Sequence, residues 1–87
     1  MAFTGLDSDQ VRQLAAQLNN KAGEIENILT QLTSQLNGVN WIGGDAERFK
    51  GEWSGTHTAQ LKQVISALHQ ASQTATQNAQ EQETASR

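Results

Sequence analysis

The sequence contains no proline, no cysteine and no tyrosine, and its aromatic side chains are limited to two phenylalanines and two tryptophans. Each absence excludes something. Without proline, nothing covalent interrupts a long helix, because no backbone N–H is missing and no ring clashes with the preceding turn. Without cysteine, no disulfide or thiolate metal site can reinforce a small core. Hydrophobic residues amount to 36% of the 87 residues, and a chain of this size buries only roughly 60% of its unfolded surface. Such a chain gains stability from a partner. No run approaches the roughly eighteen apolar residues of a membrane helix. The opening MAFTGLDSDQ has neither a basic start nor an apolar stretch, so it does not read as a secretory signal peptide, and a chain soluble as made is expected. Nine acids against six bases give a net charge of −3, and the bases Arg12, Lys21, Arg48, Lys50, Lys62 and Arg87 are scattered. Nucleic-acid binding needs a clustered basic surface and is disfavoured.

What the sequence does contain is helical periodicity. Val11, Leu14, Leu18, Ala22, Ile25, Leu29, Leu32, Leu36 and Val39 fall on one face of a helix. Val11, Leu18, Ile25, Leu32 and Val39 are each seven apart, with Leu14 and Ile28 at d positions and Ala15, Ala22, Leu29 and Leu36 at e positions. A heptad of this kind favours near-parallel packing against other helices. Asp7 is placed to cap, Gln10 completes a capping-box pattern and Leu6 can staple onto Val11. The first helix is therefore expected over residues 8–36, with Asn37-Gly38 as a left-handed stop. A second stripe runs Ala46, Phe49, Trp53, His57, Leu61, Val64, Leu68, Ala71, Ala75, Ala79, widened by Ile65. It predicts a second helix over 45–76, started by Gly44 or Asp45 as cap with Asp45, Glu47 and Glu52 near its positive end. The tail 77–87 has no large apolar residue and is expected to fray.

The short 37–44 linker makes the two helices antiparallel. The expected fold is all-α, an antiparallel two-helix hairpin that dimerises into a four-helix bundle, because one hairpin leaves much of the wide apolar stripe wet. The expected core of hairpin and dimer comprises Val11, Leu14, Leu18, Ile25, Leu29, Leu32, Leu36, Phe49, Trp53, Leu61, Val64 and Leu68.

Chemistry is harder to place on such a rod. His57 and His69 are twelve residues apart, roughly 18 Å along a helix, and cannot share a metal within one chain. A nucleophile needs a base and a concave pocket, which two helices do not offer. No enzyme activity, cofactor or metal is expected. Gly51, Gly55 and Ala59 form a small-residue ridge, which is either a groove where another helix docks or an exposed face without packing demands; the second reading weighs more. Phe49 and Trp53 are expected to anchor the hairpin, whereas Trp41 sits in the linker, placed to cover the end of the hairpin with its N–H near water. Gly43 and Gly44 are free to take positive φ and turn the chain.

Trp41-Ile42-Gly43, midway along a proline-free chain and followed by Phe49 and Trp53 in W-I-G-G-D-A-E-R-F-K-G-E-W, resembles the WXG family of small type VII secretion proteins, the early-secreted-antigen or ESAT-like type. The resemblance covers nearly the whole chain. It implies an antiparallel four-helix bundle, homodimeric or heterodimeric with another WXG-type protein, exported folded by a membrane-embedded machine driven by an ATPase. It also implies that Trp41, Ile42 and Gly43 are one half of a composite export signal, whose other half is a C-terminal Tyr-x-x-x-Asp/Glu. This chain has no tyrosine and offers only Glu81 and Glu83 in its tail. The expectation is a bacterial protein secreted without an N-terminal signal, as the tail-less subunit of a heterodimer; a homodimer travelling with another substrate is the other arrangement. Two further readings stand beside it. One is a membrane-active effector, against which the Gln, Asn and Ser of the polar faces argue. The other is a helical targeting partner of a larger toxin, docked at Gly51.

Overall fold

The computed structural model describes residues 7–85, and the expected staple by Leu6 lies outside them. Three helices make up the hairpin: α1 (Ser8–Gly38), α2 (Gly44–Glu52) and α3 (Thr58–Ala85), with a single π turn, Trp53–His57, joining α2 to α3 into one continuous arm. The chain is an all-α hairpin with no strand among the described residues. Asp7 caps α1 as the sequence suggests, its Oδ1 accepting from the N–H groups of Asp9 (3.1 Å) and Gln10 (3.2 Å). These bonds satisfy two of the donors that every helix start leaves open.

The seam between the arms is narrower than the stripes that predict it. Its buried residues repeat every seven positions on both sides: Ala15, Ala22 and Leu29 on α1, Ile65, Ser72 and Ala79 on α3. Ala46 of α2 extends the α3 side. Most of these side chains are small, so the helices approach closely, and the Ser72 hydroxyl reaches across to donate to the Ala15 carbonyl at 2.7 Å. Val11, Leu18, Ile25, Leu36, Trp53, Leu61 and Leu68 flank the seam and are half-buried. Of the residues expected in the core of hairpin and dimer, Leu14, Leu32, Phe49 and Val64 lie outside the seam of the single hairpin and remain exposed. The reason is geometric: a two-helix contact covers one narrow line on each helix, and a stripe more than 100° wide exceeds it.

Boundaries also differ from those the sequence suggests. α1 continues through Asn37 and ends at Gly38 without a left-handed residue; Val39 is extended (φ −78°, ψ 136°), and its N–H reaches the Leu36 carbonyl at 3.4 Å. Neither Gly44 nor Asp45 caps α2. Gly43 does, through its backbone alone, its carbonyl accepting from the Glu47 N–H at 3.0 Å. Asp45 instead faces Arg48 one turn on, at 3.6 Å. The tail expected to fray from residue 77 is helical to Ala85. Large apolar residues are unnecessary there, because Ala79 still fills the seam and Arg12 of α1 holds Glu83 with two bonds, Nε to Oε2 at 3.0 Å and Nη2 to Oε1 at 2.8 Å. The hydrogen bond to Glu83, then its charge, raises the Arg12 guanidinium above its ordinary pKa.

The π turn has a cause in the spacing of the second stripe. Phe49, Trp53, His57 and Leu61 are separated by three successive steps of four, and over twelve residues a 3.6-residue helix turns about 120° too far to keep them in line. One π turn adds a residue and removes about 100° of that excess. The Thr58 N–H accordingly bonds the Trp53 carbonyl five residues back, and the Thr58 hydroxyl donates to the same oxygen at 2.6 Å. Ala46 and Trp53 thereby share the seam with Ile65. Deleting Gly55 should then convert the turn to α-helix with both flanks in phase. Removal of a helical glycine, which costs about 1 kcal/mol, should raise the melting temperature by roughly 4–8 °C. Inserting an alanine after Gly55 should instead rotate α2 by about 100° out of phase and lower it. Thermal melts by circular dichroism distinguish these, and a deletion variant that melts below the parent would refute the phasing role.

Candidate functional site: the Trp41 corner

The corner is built from what α1 leaves when it ends. Val39 leaves the helix extended, and the Trp41 N–H folds back onto the Val39 carbonyl at 3.0 Å. Gly43 then adopts φ 121°, ψ −179°, the one positive φ among the described residues. That region is open essentially to glycine alone, so Gly43 is required where Gly44, the first residue of α2, is not. A side chain at Gly43 would meet no atom within 4 Å, and the constraint is therefore backbone strain rather than space.

Three aromatic residues meet the corner in different ways. The Trp41 and Phe49 rings lie 5.3 Å apart between centroids, tilted by 52°, within the range of favourable aromatic pairs. Trp53 turns inward, its Nε1 donating to the Thr33 hydroxyl of α1 at 2.9 Å, and its ring stands 6.3 Å from His57. Phe49 thus lies between Trp41 and the arms, half exposed, and not within the core. Leu32, Leu36, Val39, Phe49 and Trp53, with Gln35 and Gly38, line an open groove of about 660 Å³ beside the corner. Of the three residues Trp41, Ile42 and Gly43, the first two are outward: Trp41 is 38% and Ile42 88% exposed.

The small-residue ridge lies apart from this site. Gly55 sits in the π turn, Gly51 and Ala59 flank it, and a Cβ at Gly51 or Gly55 would meet open space. Thr33, which fixes Trp53, escaped the sequence analysis because a threonine in a helix gives no periodic signal. The π turn was not expected either, although the run of four-residue steps Phe49, Trp53, His57 and Leu61 carries its signal. Among the described residues no group of three or more His, Cys, Asp or Glu is placed to hold a metal ion, and no helix is long and apolar enough to cross a membrane.

A family model described as "WXG100: Proteins of 100 residues with WXG" matches residues 5–85. No curated protein and no solved structure matches the chain.

Proposed function

The chain belongs to the WXG100 family, and on that premise we propose that it is a non-enzymatic export and adaptor protein that leaves the cell as one subunit of a helical pair. Family membership makes it a small protein associated with type VII secretion, and members pair with WXG partners. Trp41, Ile42 and Gly43 serve as the recognition element read by the secretion ATPase. The observation that carries this reading is the outward corner: Ile42 touches water over nearly its whole surface, which nothing in hairpin formation requires. A large apolar side chain left that exposed at a rigid, glycine-set turn favours recognition by another protein.

The face left open by the narrow seam supports pairing, since Leu14, Ile28, Leu32, Val39, Phe49 and Val64 all remain exposed. Because the chain has no tyrosine, the aromatic half of the family's tail signal comes from another polypeptide, either the second subunit of the bundle or a substrate exported with it. Expressed in a host with an intact type VII apparatus, the protein is expected in the culture medium; with the ATPase inactivated it should stay in the cell. Equal release from both strains would overturn the proposal.

A further inference from the structure

We infer that Ile42 and Gly44 are specificity determinants of the corner: the Ile42 side chain enters an apolar pocket of the protein that reads the signal, and the bare Gly44 lets that protein close on the main chain of residues 42–43. The inference rests on the export reading above and assigns contact residues within it.

Trp41 and Ile42 are adjacent but differently placed. The Trp41 ring packs on Phe49, 5.3 Å away between centroids, and is 38% exposed. Ile42 is 88% exposed, more than any other large apolar residue among those described. It does not line the apolar groove beside the corner, so filling that groove does not by itself cover it. The turn that carries Ile42 is fixed from both sides: the Trp41 N–H folds back onto the Val39 carbonyl at 3.0 Å, and Gly43 is held at φ 121°. A side chain presented on so constrained a backbone gives up little conformational freedom when a partner buries it.

The main chain beside Ile42 is open as well. Its N–H and C=O, and the N–H of Gly43, have no hydrogen-bond partner among the described residues. Gly44 has no conformational reason to be glycine, since Gly43 alone takes positive φ. Nor has it a steric one, because a Cβ there would meet nothing within 4 Å. The missing side chain leaves the free groups of residues 42–43 unobstructed from the α2 side, as glycine does wherever another molecule approaches a backbone closely. Main-chain bonds of this kind supply affinity while a pocket for one side chain supplies selectivity.

These features favour a protein over a lipid surface. Hydrocarbon leaves open N–H and C=O groups unpaired and strongly penalises them, whereas a protein supplies their partners. On α2, Asp45, Glu47 and Glu52 outnumber Arg48 and Lys50, which opposes an anionic membrane.

The test compares secretion in a host with the intact apparatus and in one with its ATPase inactivated. Ile42→Ala should lower the ATPase-dependent secreted fraction about 10- to 100-fold, and Ile42→Val about fourfold, following the apolar surface each removes. Gly44→Ala should lower it about tenfold, as a side chain forced into a close contact does. The same variant should melt no lower than the parent, because alanine favours a helix more than glycine does. Gly51→Ala replaces a glycine of the same helix in equally open space and should export at the parental level. By light scattering and circular dichroism, every purified variant should match the parent in mass and helicity. Parental export of Ile42→Ala and Gly44→Ala, still dependent on the ATPase, would overturn the inference and leave the export reading standing. Release independent of the ATPase would overturn both. Equal losses in Gly44→Ala and Gly51→Ala, or a change of mass on replacing Ile42, would overturn the inference by assigning the effect to the helix or to subunit pairing. Binding of the parent to phospholipid vesicles that Ile42→Ala abolishes and Gly44→Ala leaves intact would overturn it in favour of a lipid surface.

Discussion

Replacing Ala22 by leucine is expected to lower the melting temperature by roughly 10–20 °C, taking overpacking at about 2–3 kcal/mol and about 4–8 °C per kcal/mol in a domain of this size. Ala22 is completely buried at the centre of a seam whose other members include Ala15, Ser72 and Ala79. The helices approach closely because these side chains are small. A leucine at that position has no cavity to enter and must part the arms. Parting them also removes the Ser72 hydroxyl from the Ala15 carbonyl, now 2.7 Å away, a bond with a net contribution of about 1 kcal/mol. Leu14→Ala is the matched control: its side chain is 54% exposed, so its loss should leave the seam closed and act on the pairing of hairpins instead. Thermal melts followed by circular dichroism measure both, with concentration dependence separating unfolding of the seam from dissociation of a pair. An Ala22→Leu protein that melts within a degree or two of the parent would show that the seam is not close-packed.

Trp41→Ala is expected to stop export while leaving most of the fold in place. The indole contributes to the corner mainly through its contact with Phe49, a pair worth about 0.5–1.5 kcal/mol beyond area burial. Trp53 bonded to Thr33, Gly43 at positive φ and the buried Ala46 hold the turn independently of it. The secreted fraction should therefore fall to background while the protein in the cell keeps its helicity and mass. Trp41→Phe separates the two roles of the residue, since it retains a ring against Phe49 but lacks the indole N–H and its larger face. Restored stability without restored secretion would assign the indole to recognition. Secretion of Trp41→Ala at the parental level would remove Trp41 from the export signal.

Much of this architecture is legible in the residues because helix periodicity is a local property. Asp7 followed by a heptad predicts the start at Ser8, and the absence of proline predicts two long arms. The glycine pair predicts the turn, but only the backbone geometry distinguishes Gly43, which takes positive φ, from Gly44, which opens α2. The tail is misjudged for an instructive reason. Residues 77–85 lack large apolar side chains, and their helicity comes from a partner far away in sequence, through Ala79 in the seam and Glu83 on Arg12.

By itself, the sequence determined the fold class, the two amphipathic arms, the corner and the family to which the W-x-G pattern belongs. Each of these depends on spacing along one strand of chain, where 3.6 residues per turn converts position directly into direction. Tertiary structure alone decided which part of each wide stripe closes the hairpin and which part stays open. Ala15, Ala22 and Ser72 line the seam while Leu14, Leu32 and Val64 face outward, a choice that hydrophobicity by itself would reverse. Close approach of two helices favours the line of smallest side chains, because many short contacts and a direct bond from Ser72 to the opposing backbone form only there. The larger residues are displaced to the flank, where they stay exposed to solvent.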